Sequence, residues 1–215
     1  MSHSVSRYCM MQEDLIRLIK PIQVLCESIK RERFDKNSAR YSEMHLKDLN
    51  QLVTDMDVQV EKDLVKGLAE LLPLASFLTE EETIKQAKAD SRWIIDPIDG
   101  TTNFVHGIPA YCISIGLEQN GKIQLGVVFE LNRSEFFHAI RGGGAFLNGQ
   151  RVHVSQHVSL SETLIATGFP YYDFERTQKY LSVLEFFMKN TRGVRRLGSA
   201  ALDLAYVACG KFDAF

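Results

Sequence analysis

An apolar triplet, Trp93-Ile94-Ile95, runs directly into Asp96-Pro97-Ile98-Asp99-Gly100-Thr101-Thr102, and this junction constrains the fold more than any other stretch of the chain. Aromatic and β-branched residues in an unbroken run read as a buried strand. Pro97 removes a backbone donor and fixes φ, so the strand is expected to end at the Asp96 carboxylate. Asp99-Gly100 reads as a turn, and the hydroxyls of Thr101 and Thr102 are placed to cap a following helix or turn. Carboxylates three positions apart, with the Ile98 carbonyl between them, are hard oxygen ligands suited to Mg²⁺, and no Cys or His stands near enough to suggest zinc. A plain capped turn accounts for the same residues. An EF-hand loop does not: counted from Asp96, Thr101 falls where Gly is required and Gly107 where the bidentate Glu is.

Leu15, Leu18, Ile19, Ile22, Leu25, Cys26 and Ile29 recur at helical spacing, which predicts an amphipathic helix over about 12–31 that Pro21 kinks or splits. The charged stretch from Lys30 to Lys47 reads as a connecting loop. Val60, Leu64, Leu68 and Leu71 form the apolar face of a second helix, capped by Asp55 or Asp57 and ended by Pro73. Ser76-Phe77-Leu78 reads as a short strand that delivers Glu80, Glu81 and Glu82, acids that by themselves suit a solvated surface. Beyond Gly107 the pattern becomes a meander. Ile113, Ile115 and Leu117 alternate with Cys112, Ser114 and Gly116, Asn120-Gly121 makes a two-residue hairpin, and Ile123, Leu125, Val127 and Phe129 continue the alternation. A strand over 136–140, a turn from Gly142 to Gly144 and a second tight hairpin at Asn148-Gly149 complete an antiparallel sheet. After Thr163 strand and helix alternate: a strand over 164–167, a helix over 174–188 with Tyr180, Leu181, Leu184 and Phe187 on one face, a strand over 194–197, and a helix opened by Gly198-Ser199 and closed by Gly210. The N–H groups that open this last helix suit a hydroxyl-rich or anionic ligand, and ordinary capping by Ser199 explains that residue equally well.

This pattern divides the 215 residues into an α+β part over 1–150 and the start of an α/β part over 151–215, and a 45% hydrophobic content supports a core for both. Net charge −2 leaves no electrostatic footprint for nucleic acid, so none is expected as a partner. Cys9, Cys26, Cys112 and Cys209 are scattered, with no Cys-x-x-Cys pair and no secretory segment before them, and a reducing cytoplasm is the expected location. The longest apolar runs fall well short of the ~20 residues of a membrane helix, so no membrane segment is expected.

Asp96 to Phe104 resembles, residue for residue, the metal-binding signature of the inositol monophosphatase family of Mg²⁺-dependent, lithium-sensitive phosphatases. Leu52-Val53-Thr54 with Asp57, Glu80-Glu81, Gly144 to Gly149 and Gly198 to Asp213 resemble further family segments in the same order, with Thr79 where the family has Gly before its acid pair. The resemblance implies a layered αβαβα sandwich of the sugar phosphatase type. It also implies roles: Glu80, Asp96 and the Ile98 carbonyl would hold one Mg²⁺, Asp96 and Asp99 a second, with two or three ions in all. Thr101, oriented by Asp57 and assisted by Glu80, would hydrogen-bond an attacking water. Asp99, Gly100, Thr101, Thr102, Gly198, Ser199 and Ala200 would line the substrate. Lys47 stands near the place of a family lysine that faces the phosphate pocket, and His106 is read as structural.

The reaction so implied is hydrolysis of a small phosphorylated polyol or sugar, myo-inositol monophosphate first, by metal-activated water. The nearest alternatives apply the same chemistry to a nucleotide such as phosphoadenosine phosphate, to a sugar bisphosphate or to histidinol phosphate. From another class, a non-catalytic scaffold would bind a phospho-ligand or a protein. A homodimer is implied by the resemblance alone. Family members carry a substrate-contacting Glu and a metal-binding Trp-Asp after the place of Phe215, so the resemblance implies a truncated chain, and Asp213-Ala214-Phe215 reads as a strand just begun.

Overall fold

The computed structural model describes residues 10–35, 44–48, 51–80, 89–169 and 174–215, with the backbone alone for 44–48 and 51–54. The greater part of the expected charged loop (36–43), the acids Glu81 and Glu82 and the Lys47 side chain lie outside the described residues.

The first helix, α1 (Gln12–Ile29), buries Leu15, Leu18, Ile22, Cys26 and Ile29 along one stripe, and Pro21 sits inside it without dividing it. From Lys30 to Asp35 the chain stays helical, in a π turn, where a loop was expected. A hairpin of β1 (Met44–Asp48) and β2 (Gln51–Thr54) leads into α2 (Asp55–Leu71), which buries Met56, Val60, Leu64 and Leu68. The two helices approach closely because Gly67 has no side chain: a Cβ there would stand 2.6 Å from a Leu25 methyl.

Against these helices lies a seven-stranded sheet in the order β3 (Ser76–Thr79), β4 (Ser91–Asp99), β5 (Cys112–Gln119), β6 (Lys122–Glu130), β7 (Glu135–Ile140), β8 (Gly144–Leu147) and β9 (Gln150–Val152). β3 and β4 are parallel, and every later pair is antiparallel. Asn120 (φ 50) with Gly121 (φ 72), and Asn148 (φ 49) with Gly149 (φ 81), take the left-handed pairs that a type I′ turn needs to match strand twist. Strand alternation then separates the faces. Trp93, Ile95, Ile113, Ile115, Leu117, Leu125, Val127, Phe129 and Phe136 form the main core with α1 and α2. Cys112, Phe137 and Val128 pack instead with Leu202, Ala205 and Tyr206 of α5 (Ala200–Ala208).

Two further strands, β10 (Leu164–Ala166) and β11 (Gly193–Arg195), pair in parallel, and Ala214 adds a bridge to Ile165. Ala166 joins the core around α5. On the other side Tyr180, Val183, Leu184 and Phe187 of α4 (Thr177–Asn190) line a groove with Ile165 and Val194. These four residues follow the i, i+3, i+4, i+7 stripe of a helix, whereas Leu181, expected on that face, is one step out of phase and does not line the groove. The layers therefore run α1 with α2, large sheet, α5, small sheet, α4, which is the αβαβα sandwich.

Candidate active site

Because β3 and β4 run in the same direction, with Thr79 at the end of β3 paired to Ile95, the next residues along the two segments, Glu80 and Asp96, lie side by side. The two carboxyls are joined by a hydrogen bond. β4 does not stop at Asp96 as expected but continues to Asp99. Asp96 pairs with Ser114 and Asp99 with Cys112, so three steps along β4 match two along β5. The extra residue forms a bulge at Pro97-Ile98, where proline has no N–H to give to the ladder. Its consequence is one of parity. Residues three apart on a regular strand point to opposite faces, but the bulge sends Ile98 into the core with α1 and α2 and returns Asp99 to the face of Asp96.

At Gly100 the backbone takes φ 102, and α3 (Thr101–His106) begins with no side-chain cap. Neither threonine caps the helix as expected: Thr102 is exposed, and Thr101 Oγ1 lies 3.1 Å from Asp57 Oδ1 and 3.0 Å from the Ile98 carbonyl. One hydroxyl proton faces both acceptors, and the carboxylate is the stronger. Asp57 itself is 2% exposed in the first turn of α2, where the helix dipole favours negative charge. Burial holds the Asp96 carboxyl well above the usual carboxylate range, and the charges of Glu80, Asp99 and Asp57 push it further the same way. Asp96 Oδ1 is buried with no hydrogen-bond partner among the described residues.

Asp99 is met from the layer of α5. Its Oδ2 accepts from the Ser199 hydroxyl at 2.7 Å and the Ala201 N–H at 2.6 Å, with the Cys112 thiol at 3.8 Å. Ser199 is the residue before the helix, yet its hydroxyl serves Asp99 and caps nothing in its own turn. An acid about a hundred positions away thus satisfies one of the free N–H groups that open α5. Gly198 and Ala200 flank this contact, with Ala200 exposed. One turn further, burial and then the charge of Asp99 raise Asp203 to about 6.

The acids and hydroxyl singled out in the sequence, Asp57, Glu80, Asp96, Asp99 and Thr101, are therefore neighbours. Sequence reasoning missed Cys112, Asn103 and Asp203, whose places depend on contacts across layers; the only local hint was that Cys112 alternates in phase with Ser114 on β5. Among the described residues no three Asp, Glu, His or Cys side chains close around one point. The donor chemistry nonetheless fits a hard divalent cation: all the groups are oxygen donors, the acids around Asp96 repel one another, and a buried carboxylate oxygen has no partner among the described residues.

Residues 11–215 match the model of the inositol monophosphatase family. The chain belongs to that family. It is 46% identical over 164 residues to an inositol-1-monophosphatase of Rhizobium meliloti, covering 76% of this chain and 62% of the relative. It is 41% identical over 174 residues to the Nus factor SuhB of Pseudomonas aeruginosa, covering 79% and 64%. The chain thus spans slightly less than two thirds of the length of these curated relatives. The crystal structure of the extragenic suppressor protein SuhB from Bartonella henselae superposes with a TM-score of 0.84 at 36% identity, over 91% of this chain and 76% of that one.

Proposed function

We propose that the chain carries the metal-binding side of a Mg²⁺-dependent phosphatase for small phosphate monoesters, myo-inositol monophosphate first among them. The observation that carries this reading is the meeting of Glu80, Asp96 and Asp99 at the ends of β3 and β4, with the Thr101–Asp57 pair beside them. Glu80, Asp96, Asp99 and the Ile98 carbonyl would hold the ions. Mg²⁺ held there would neutralise phosphoryl oxygens and lower the pKa of a water.

The chain's own groups orient that water. With its proton donated to Asp57, the Thr101 hydroxyl keeps lone pairs that accept a hydrogen bond from the water. Glu80, exposed at the strand end, would take the proton as the water oxygen bonds to phosphorus and the ester P–O bond breaks, the departing alkoxide leaving as the alcohol with a proton from solvent. Ser199 and Ala201 hold Asp99 by Oδ2, which steers its other oxygen toward an ion or a substrate hydroxyl. The start of α5 at Gly198 to Ala200 favours an anionic, hydroxyl-rich ester. Two or three ions, inhibition by lithium, a homodimer and a cytoplasmic location belong to the same reading and rest on the family likeness.

The test is phosphate release with Mg²⁺ from a panel of myo-inositol monophosphate, phosphoadenosine phosphate, a sugar bisphosphate and histidinol phosphate. Glu80→Gln should lower the rate by about 10²–10⁴-fold, the range for losing a positioned proton acceptor. Full activity in Glu80→Gln, or no release from any ester by the unaltered protein, overturns the reading. In the second case the relatives named Nus factor SuhB favour a non-catalytic binding role.

A further inference from the structure

Asn103 is 5% exposed in the first turn of α3. Its amide nitrogen carries two protons, and both are used: Nδ2 donates to the Ala110 carbonyl at 2.7 Å and to the Leu197 carbonyl at 2.7 Å. The first bond ties α3 to the turn that enters β5. The second crosses 94 positions to the segment just before α5. That segment lies against the amide so closely that a Cβ at Gly198, where φ is +96, would stand 2.8 Å from Asn103 Nδ2 and 3.1 Å from Oδ1. Immediately beyond it, Ser199 and Ala201 donate to Asp99.

Asn103 and Asp99 therefore grip one segment at two points, four residues apart on their own chain. We propose that Asn103 is a positioning residue, which sets the start of α5 against Asp99 and so fixes the direction of the Asp99 carboxylate. No other side chain of similar size supplies both bonds. Aspartate has no donor, serine has one, and glutamine adds a methylene where Gly198 leaves no room. A purely structural clasp would predict something different: loss of stability spread over the molecule, with the Ala201–Asp99 bond no weaker than the rest.

The kinetic arm of the test rests on the proposed role of Asp99, and the exchange arm does not. In Asn103→Ala, hydrogen exchange at the Ala201 amide should accelerate by about 10- to 100-fold, the scale of one lost buried bond, while amides of β5 and β6 change by no more than about twofold. In phosphate release, Asn103→Ala and Ser199→Ala should each lower kcat/KM by about 10- to 100-fold, mainly through KM, and the double variant should fall no further than the worse single one. Losses that multiply, or Ala201 exchange that rises only as much as that of β5 and β6, overturn the proposal. Should the unaltered protein release no phosphate, the reading of the activity fails and the exchange arm alone decides the role of Asn103. If Asn103→Ala does not fold, Gly198→Ala pushes the same segment off Asn103 from the other side and must give the same acceleration at Ala201.

Discussion

Gly100→Ala tests how tightly the acidic turn is built into the structure. At φ 102 an alanine leaves the region open to side chains, a strain of about 1–3 kcal/mol. The added Cβ would also stand 3.0 Å from the Ala110 carbonyl oxygen, 3.1 Å from Tyr111 Cβ and 3.3 Å from the Gly198 carbonyl oxygen. Two of these neighbours are backbone, which cannot swing aside, so crowding adds about 1–3 kcal/mol, the usual range for an overpacked site. The sum of about 2–6 kcal/mol corresponds to a Tm lower by roughly 4–24 °C in a protein of this size. Gly121→Ala is the control: φ there is +72 and nothing lies within 4 Å of the new Cβ. It should lose about 1–2 kcal/mol, from left-handed strain alone. Thermal unfolding of the two variants in one buffer decides the matter. If Gly100→Ala unfolds at the same temperature as Gly121→Ala, the close packing of the turn against Ala110, Tyr111 and Gly198 contributes nothing.

Thr101→Val removes the hydroxyl that faces Asp57 and the Ile98 carbonyl and should lower kcat by about 10²–10⁴-fold, whereas Thr101→Ser, which keeps the hydroxyl, should stay within about tenfold. Equal rates for the two variants would remove Thr101 from the mechanism. Asp213 is shifted in two directions: burial raises its carboxyl, but bonds from Ser155, the Leu164 N–H and His157 outweigh burial and hold it below its ordinary value. A lowered acid contributes stability that is present above its unfolded-state pKa and is lost as pH falls through the folded-state one. Asp213→Asn should therefore lower the urea midpoint near neutral pH and converge on the unaltered protein in strong acid. A difference that is the same at both ends of that range would show that the bonds do not depend on the charge.

Local chemistry made most of the sheet legible. Asn120-Gly121 and Asn148-Gly149 state their turn type outright, and alternation from Cys112 to Phe129 assigns each side chain to a face before any partner is known. Where distant contacts decide, the reading failed. Residues 30–35 are too charged to announce a helix, but Phe34 packs against Phe104 and Tyr111, with ring centres 5.6 and 6.1 Å away, and this aromatic cluster accompanies the helical turn. The helix expected over 174–188 starts instead at Thr177 and runs to Asn190. For the site, the residue types and spacing of Asp96 and Asp99, with the family resemblance for Asp57 and Glu80, pointed to acids that the structure brings together, but nothing local to Asp99 named Ser199 or Ala201 as its partners. The bulge at Pro97-Ile98 was equally hidden, although Pro97 was noted as a lost donor.

The four acids of the site are each supported in a different way, and the differences indicate where a cation matters most. Asp57 stands in the first turn of α2 and receives the Thr101 hydroxyl. Asp99 takes an N–H from the start of α5 and a serine hydroxyl. Glu80 is exposed and can be hydrated. Asp96 has none of these: it lies within β4, in no helix's first turn, its hydrogen bond goes to another acid, and one of its oxygens is buried without a partner among the described residues. Burying an ionised carboxylate in that setting is unfavourable unless a positive charge accompanies it. The bulge that turns Asp99 onto the face of Asp96 makes the position more acidic still, so a β4 without the bulge would have one carboxylate on that face and a weaker demand for a divalent ion. Deleting Ile98 removes the extra residue and leaves Asp99 two positions after Asp96, still on its face, so the deletion should weaken Mg²⁺ binding, measured by calorimetry, less than Asp99→Asn does; a loss as large as that of Asp99→Asn would mean that the parity of the two acids along β4 is not what gathers the ligands.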